Sequence, residues 1–229
     1  MAKHIGIVAC SYEGAALCYR TICLEAQEQM GEDNHPEVTM HTHSLAEYMA
    51  GIRPGDWEQV AELMLDSTRK LAAAGAEFAI CPDNTIHEAF ELVERRSPLP
   101  WLHIARVVAQ EAHRRGFRRL GVLGTAYLME GPVYPRALEP MGIEVLIPPE
   151  RDRKSINGVI FDELVRGRLL EASRAYLNKV MGELKARGAD AAVLGCTEIP
   201  LIVRADHAPL PTLDSARLLA RAAVCTAIA

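Results

Sequence analysis

Short apolar runs alternate along the chain with longer segments whose apolar residues recur at helical spacing. Residues 3–9 read as a buried strand, followed by a loop at 10–14. A helix over about 15–30 comes next, with Leu17, Ile22, Leu24 and Met30 on a loose apolar face and Gly31 closing it. Residues 38–43 form a second strand. Asp56 is a good N-cap for a helix over 57–74, whose inward face carries Val60, Leu63, Met64 and Leu71. Gly75 ends that helix, 77–81 is a third strand, and a loop at 82–85 leads into a helix over about 87–96. Ser97-Pro98-Leu99-Pro100 reads as a linker. Beyond it the pattern predicts a short strand at 101–104, a helix over 105–115 ending at Gly116, and a strand at 120–124. A helix around 132–141, a strand at 144–147, helices near 152–166 and 169–187, a strand at 191–195 and a last helix over 214–228 complete it.

Strands and helices that alternate in this way argue for parallel sheets built from βαβ units. The expected fold class is α/β, with two similar doubly wound parallel-sheet domains. The first would span 1–99 and be completed by a C-terminal helix at 212–229; the second would span 100–211.

Two internal repeats support that division. Gly75-Ala76-Glu77 and the apolar run after it lie over Gly188-Ala189-Asp190 and its own apolar run without a gap. Asp83 then falls on Cys196, and Asn84 on Thr197. In the same way residues 3–10 lie over 118–125, so that Cys10 falls on Thr125. All four of Cys10, Asp83, Thr125 and Cys196 are at expected strand C-termini. Ligands bind beyond the carboxyl ends of the strands in open α/β sheets, and two halves facing each other would bring these positions to one cleft.

Composition narrows the function. The chain has 229 residues, about half of them apolar, and a formal charge of −5. Such a balance gives no support for nucleic-acid binding; Arg114-Arg115 and Arg118-Arg119 fit a solvated helix end and the turn after it. No apolar stretch reaches the ~18 residues that span a membrane, and no signal peptide is expected. Six cysteines without a C-x-x-C pair or a disulfide framework fit a reducing compartment, so a cytoplasmic location is expected. No G-x-G-x-x-G or P-loop follows a strand, and no lysine has a pyridoxal phosphate motif, so no cofactor is expected. His41 and His43 share one strand face, but a metal site wants three or four convergent ligands; no metal is expected from that pair alone.

Cys196 stands between a buried strand and a Thr-Glu turn, where backbone N–H groups could stabilise a thiolate. Buried cysteines are common, and Asp before Asn-Thr is an ordinary turn or cap residue. The repeat, which puts a carboxylate opposite a thiol, favours an acid/base pair. Asn84, Thr85, Thr125 and Thr197 are short polar groups at loop starts, suited as a set to a small carboxylate ligand.

These pieces resemble the aspartate/glutamate racemase family. Residues 80–87 (ICPDNTIH) are similar to its P-C-N-T-x-H motif, and residues 193–200 (VLGCTEIP) to its G-C-T-E motif. Residues 5–8, the Ser11-Tyr12-Glu13 turn and residues 120–125 resemble its first strand and loop and the first strand of its second domain. The resemblance implies two domains related by a pseudo-two-fold, with the active site between them, and a cofactor-independent inversion of an amino acid's α-carbon. Asp83 and Cys196 would be catalytic, and Ser11, Asn84, Thr85, Thr125, Thr197 and Glu198 would bind substrate. A homodimer is the implied assembly, with a small-molecule amino acid as the partner and neither nucleic acid nor membrane.

Three departures from the family pattern matter. Many members use two cysteines, and Asp83 stands where the first would be. A thiol near pKa 8.5 and a carboxyl near 3.9 are unequal bases, so unequal rates for the two enantiomers are expected. Leu45 and Val165 occupy the places of an Arg and a Lys that hold the side-chain carboxylate in aspartate racemases, with Arg53 and Arg166 nearby. The first-loop glycines are altered to Ala9-Cys10. The alternatives are a single-thiol decarboxylase or isomerase of the same superfamily, and a non-catalytic amino-acid-binding protein.

Overall fold

A computed structural model describes residues 2–229. The described chain divides into two compact units, one that runs to residue 104 and takes in 216–229, and one of residues 105–215.

The first unit holds strands β1 (Ile5–Ala9), β2 (Val38–Thr42), β3 (Phe78–Ile80) and β4 (Trp101–Leu102), with helices α1 (Tyr12–Met30), α2 (Leu45–Ile52), α3 (Trp57–Ala73) and α4 (Phe90–Glu94). All the strands are parallel, in the order β2-β1-β3-β4. The chain begins at an inner strand, moves one way to β2 and then the other way to β3 and β4. That reversal makes a topological switch point at the carboxyl ends of β1 and β3.

After α5 (Ile104–Arg114), the second unit repeats the plan. It has β5 (Arg119–Leu123), α6 (Ala126–Glu130), α7 (Val133–Leu138), β6 (Glu144–Leu146), α8 (Glu150–Gly158), α9 (Glu171–Ala186), β7 (Ala191–Leu194) and β8 (Thr212–Asp214). Its order is β6-β5-β7-β8, again all parallel, with the switch point between β5 and β7. The last helix, α10 (Ser215–Ile228), returns to the first unit.

The two sheets share a register. Ile5 pairs with Phe78 and Gly6 with Ala79; Leu120 pairs with Ala191 and Gly121 with Ala192. Both repeats seen in the sequence are therefore repeats of sheet geometry. Gly6 and Gly121 hold equivalent positions, and each sits under a helix. A Cβ on Gly6 would meet the Cβ of Leu71 in α3 at 3.3 Å, and one on Gly121 would meet Leu184 in α9 at 2.9 Å. Glycine there lets the covering helix rest directly on the strand.

Several expected elements shift. β4 pairs with β3, so Ser97–Pro100 precedes an edge strand of the first sheet instead of joining the two units, and the break lies after Ile104. Residues 212–214, assigned above to the first domain, form β8 against β7. In α1 the buried stripe is Ala15, Cys18, Ile22 and Ala26, apolar residues at i, i+3/i+4 spacing, while Leu24 faces outward at 51% exposure. Residues 159–166, expected as a continuous helix, are one π turn followed by one 3-10 turn.

Candidate active site

Beyond β1 the chain passes Cys10 and turns into α1 at Ser11. The Ser11 side chain caps that helix, accepting from Gly14 N–H at 3.1 Å. Beyond β5 the turn has the same length, but the strand ends one register place earlier. Gly124 leads to Thr125, which caps α6 by accepting from Leu128 N–H at 3.2 Å. The capping partner of Thr125 is thus Ser11, one place past the Cys10 that the alignment chose. Each hydroxyl uses its oxygen as acceptor in the cap; donation through its O–H is a separate capacity of the same group.

The loop after β3 carries Asp83. Its Oδ1 accepts from Ile86 N–H at 3.1 Å, which starts a 3-10 turn over Thr85–Ala89 ahead of α4, in place of the straight helix expected there. His87 holds the loop from below. Its Nδ1 lies 2.6 Å from the Asp83 carbonyl, which can only accept, so Nδ1 carries the proton. Its Nε2 then accepts from Ile104 N–H at 3.4 Å. Both ring nitrogens of this buried histidine are used as a neutral imidazole, and it acts as a clamp on the Asp83 backbone. Asn84 is 2% exposed and Thr85 is half-buried beside it.

Cys81 is no substitute for Asp83 in an acid/base role. It is fully buried, and burial first, then the neighbouring Asp83 carboxylate, push its thiol well above the ordinary range. Tyr48 of α2 lies in the same neighbourhood. Burial, and after it Cys81, Cys10 and Asp83, all oppose ionisation of its phenol. Tyr48 lies on a short helix that the hydrophobic pattern of the sequence does not mark. The signal was there in Ser44-x-x-Glu47, a capping-box pattern in which Glu47 Oε1 accepts from Ser44 N–H at 3.0 Å.

The loop after β7 carries Cys196, 7% exposed. Gly195 N–H donates to Leu123 C=O at 2.7 Å, Ser215 Oγ donates to Leu194 C=O at 2.9 Å, and Ile199 N–H donates to Cys196 C=O at 3.2 Å. These bonds fix the turn on which the thiol sits. The Cys196 thiol donates to Glu198 Oε2 at 2.9 Å, and the Thr197 hydroxyl donates to the same oxygen at 2.9 Å. Glu198 and Thr197, both expected to touch substrate, here form a buried network around the sulfur. A carboxylate in hydrogen-bond contact with a thiol can take its proton and leave a thiolate.

Leu45, half-buried, opens α2, and Val165 packs against the core of the second unit. Arg53 and Arg166 are exposed. No helix among the described residues is long and apolar enough to cross a membrane.

Two four-stranded doubly wound sheets of one strand order, each with an ionisable side chain just past its switch point, define a duplicated α/β scaffold. The chain belongs to the Asp/Glu/Hydantoin racemase family, whose sequence profile matches residues 7–223. It is 25% identical over 177 residues to the broad specificity amino-acid racemase RacX of Bacillus subtilis, covering 77% of this chain and 76% of that one. It is 29% identical to the glutamate racemase of Thermus thermophilus, covering 76% of this chain and 61% of the relative. Among solved structures, an aspartate racemase homologue from Pyrococcus horikoshii superposes with a TM-score of 0.86 at 28% identity, covering all of both chains. A Yersinia pestis chain whose Asp/Glu racemase assignment is provisional gives 0.91 at 33% identity, over 99% of this chain and 100% of that one.

Proposed function

We propose that the protein is a cofactor-independent amino-acid racemase in which Cys196 and Asp83 exchange protons with one α-carbon. The observation that carries this reading is the pairing of the two switch points. At matched positions of a shared sheet register stand a thiol in contact with a carboxylate and a carboxyl group held by its own loop.

In one direction the Cys196 thiolate forms an S–H bond as the α C–H bond breaks, and the electron pair stays on the α-carbon, delocalised into the substrate carboxylate. The protonated Asp83 then gives its proton to the opposite face and keeps the O–H electrons as a carboxylate. The centre is inverted, Cys196 ends as a thiol and Asp83 as an anion. The reverse turnover, or exchange with water, resets the pair. Glu198 Oε2 serves as the acceptor that readies the thiolate. Ser11, Asn84, Thr85 and Thr125 supply donors for the substrate carboxylate, while the Thr197 hydroxyl stays on Glu198.

Aspartate, glutamate or a related amino acid is the substrate class. The apolar Leu45 and Val165 favour members without a side-chain carboxylate, and RacX, a relative, is named for broad specificity. A cytoplasmic homodimer is part of the same proposal. The test is chiral chromatography of a panel of acidic and neutral amino acids incubated with the protein. Racemisation of at least one, lowered about 10²–10⁴-fold by Cys196→Ala, is the expected result. Binding without racemisation would favour a non-catalytic protein, and carbon dioxide release from a substituted malonate a decarboxylase.

A further inference from the structure

A second cluster lies at the carboxyl end of β2. His41 belongs to that strand and His43 follows it two residues on, so both point to one face of the sheet. Helix α3 brings Asp66 across that face. A ring nitrogen from each histidine and a carboxylate oxygen of Asp66 lie within 4.8 Å of one another. We propose that His41, His43 and Asp66 bind a divalent transition-metal ion of the zinc type.

Two imidazoles and one carboxylate are a donor set that suits zinc and cobalt better than calcium or magnesium. Ligands about 2.0–2.1 Å from such an ion sit roughly 3.3 Å from one another, so small side-chain movements close the site. The outer contacts are in place as well. His41 Nδ1 is 3.0 Å from Ser67 Oγ, which orients the ring and leaves Nε2 as the ligand atom. His43 Nε2 is 2.8 Å from Asp66 Oδ2, a contact held by one proton that the ion would displace. Glu47 Oε2, 3.9 Å from His43 Nδ1, faces the ring nitrogen turned away from Asp66 and is an outer contact of that ring; water can fill the remaining position.

Lys70 Nζ, 2.6 Å from Asp66 Oδ2, is the competitor the ion must displace; it is half exposed and can swing into solvent.

The probe is Co²⁺ alone, titrated into the full chain and followed by visible absorption. One ion per chain is expected, with d–d bands and without the near-ultraviolet charge-transfer band of a cobalt thiolate. His43→Ala and Asp66→Ala should each weaken binding by well over tenfold, since even outer partners of a metal ligand are worth about 10–100-fold. Lys70→Gln, which removes the competitor and leaves the ligands, should tighten it several-fold. A thiolate band, or an affinity unmoved by His43→Ala, overturns the proposal. If His43→Ala does not fold, Lys70→Gln decides: unchanged or weaker binding overturns it. Racemase activity enters none of these readings.

Discussion

The most informative single contact is the one between Cys196 and Glu198. A carboxylate 2.9 Å from a sulfur accepts the thiol's hydrogen bond and can take its proton. Glu198→Gln keeps an oxygen in place and removes the base. Iodoacetamide should therefore modify Cys196 more slowly in Glu198→Gln than in the parent at neutral pH, and racemisation should fall with it. Mass spectrometry of the alkylated peptide reads the first and chiral chromatography the second. Alkylation as fast as in the parent, or faster, would show that Glu198 does not ready the thiolate. Asp83 and Cys196 were both visible in the sequence, because a gapless repeat set an acid over a thiol. Glu198 and Thr197 were visible as expected substrate contacts, but not as the buried partners beside the Cys196 sulfur. His87 was an isolated histidine until its two ring nitrogens met the Asp83 carbonyl and Ile104 N–H. Asp66 has no spacing relation to His41 or His43, since it reaches them from another element.

At the scale of elements, small residues at strand ends decide how closely the next helix approaches. Leu128 of α6 packs on Gly124 and Gly195; a Cβ on Gly195 would meet Leu128 Cδ2 at 2.5 Å and the Leu123 carbonyl at 3.0 Å. Gly195→Ala should destabilise the protein by about 1–3 kcal/mol in urea unfolding and lower activity, because the displaced residue adjoins Cys196. Adding Leu128→Ala should recover only part of the loss, as the Leu123 carbonyl stays in place. Full recovery would mean that the backbone contact is irrelevant. The long amphipathic helices were legible because each repeats its pattern over many residues, and the buried strands because they are apolar runs bounded by turn residues. Helix α2 and helix α6 were not, because they are 8 and 5 residues long, and strand β8 was not, because Thr212-Leu213-Asp214 offers one apolar residue. A pattern that short carries little periodicity, and tertiary pairing fixes it: β8 exists because Leu213 and its neighbours pair with β7.

For the whole molecule, one topology is used twice and its equivalent positions hold different chemistry. The strand orders β2-β1-β3-β4 and β6-β5-β7-β8 match, and so do the registers at Ile5–Phe78 and Leu120–Ala191. Beyond β3 stands Asp83 and beyond β7 stands Cys196. In the proposed mechanism Asp83 and Cys196 each serve one face of the α-carbon, which makes the two half-reactions separable. Deuterium incorporation from D₂O into each enantiomer of the substrate, followed by mass spectrometry for Asp83→Asn and Cys196→Ala, measures them directly. Asp83→Asn should still place deuterium in one enantiomer, through Cys196, with little inversion. Cys196→Ala should lose that exchange. Inversion at the parent rate in Asp83→Asn, or exchange of both enantiomers undiminished in Cys196→Ala, would contradict the two-residue mechanism.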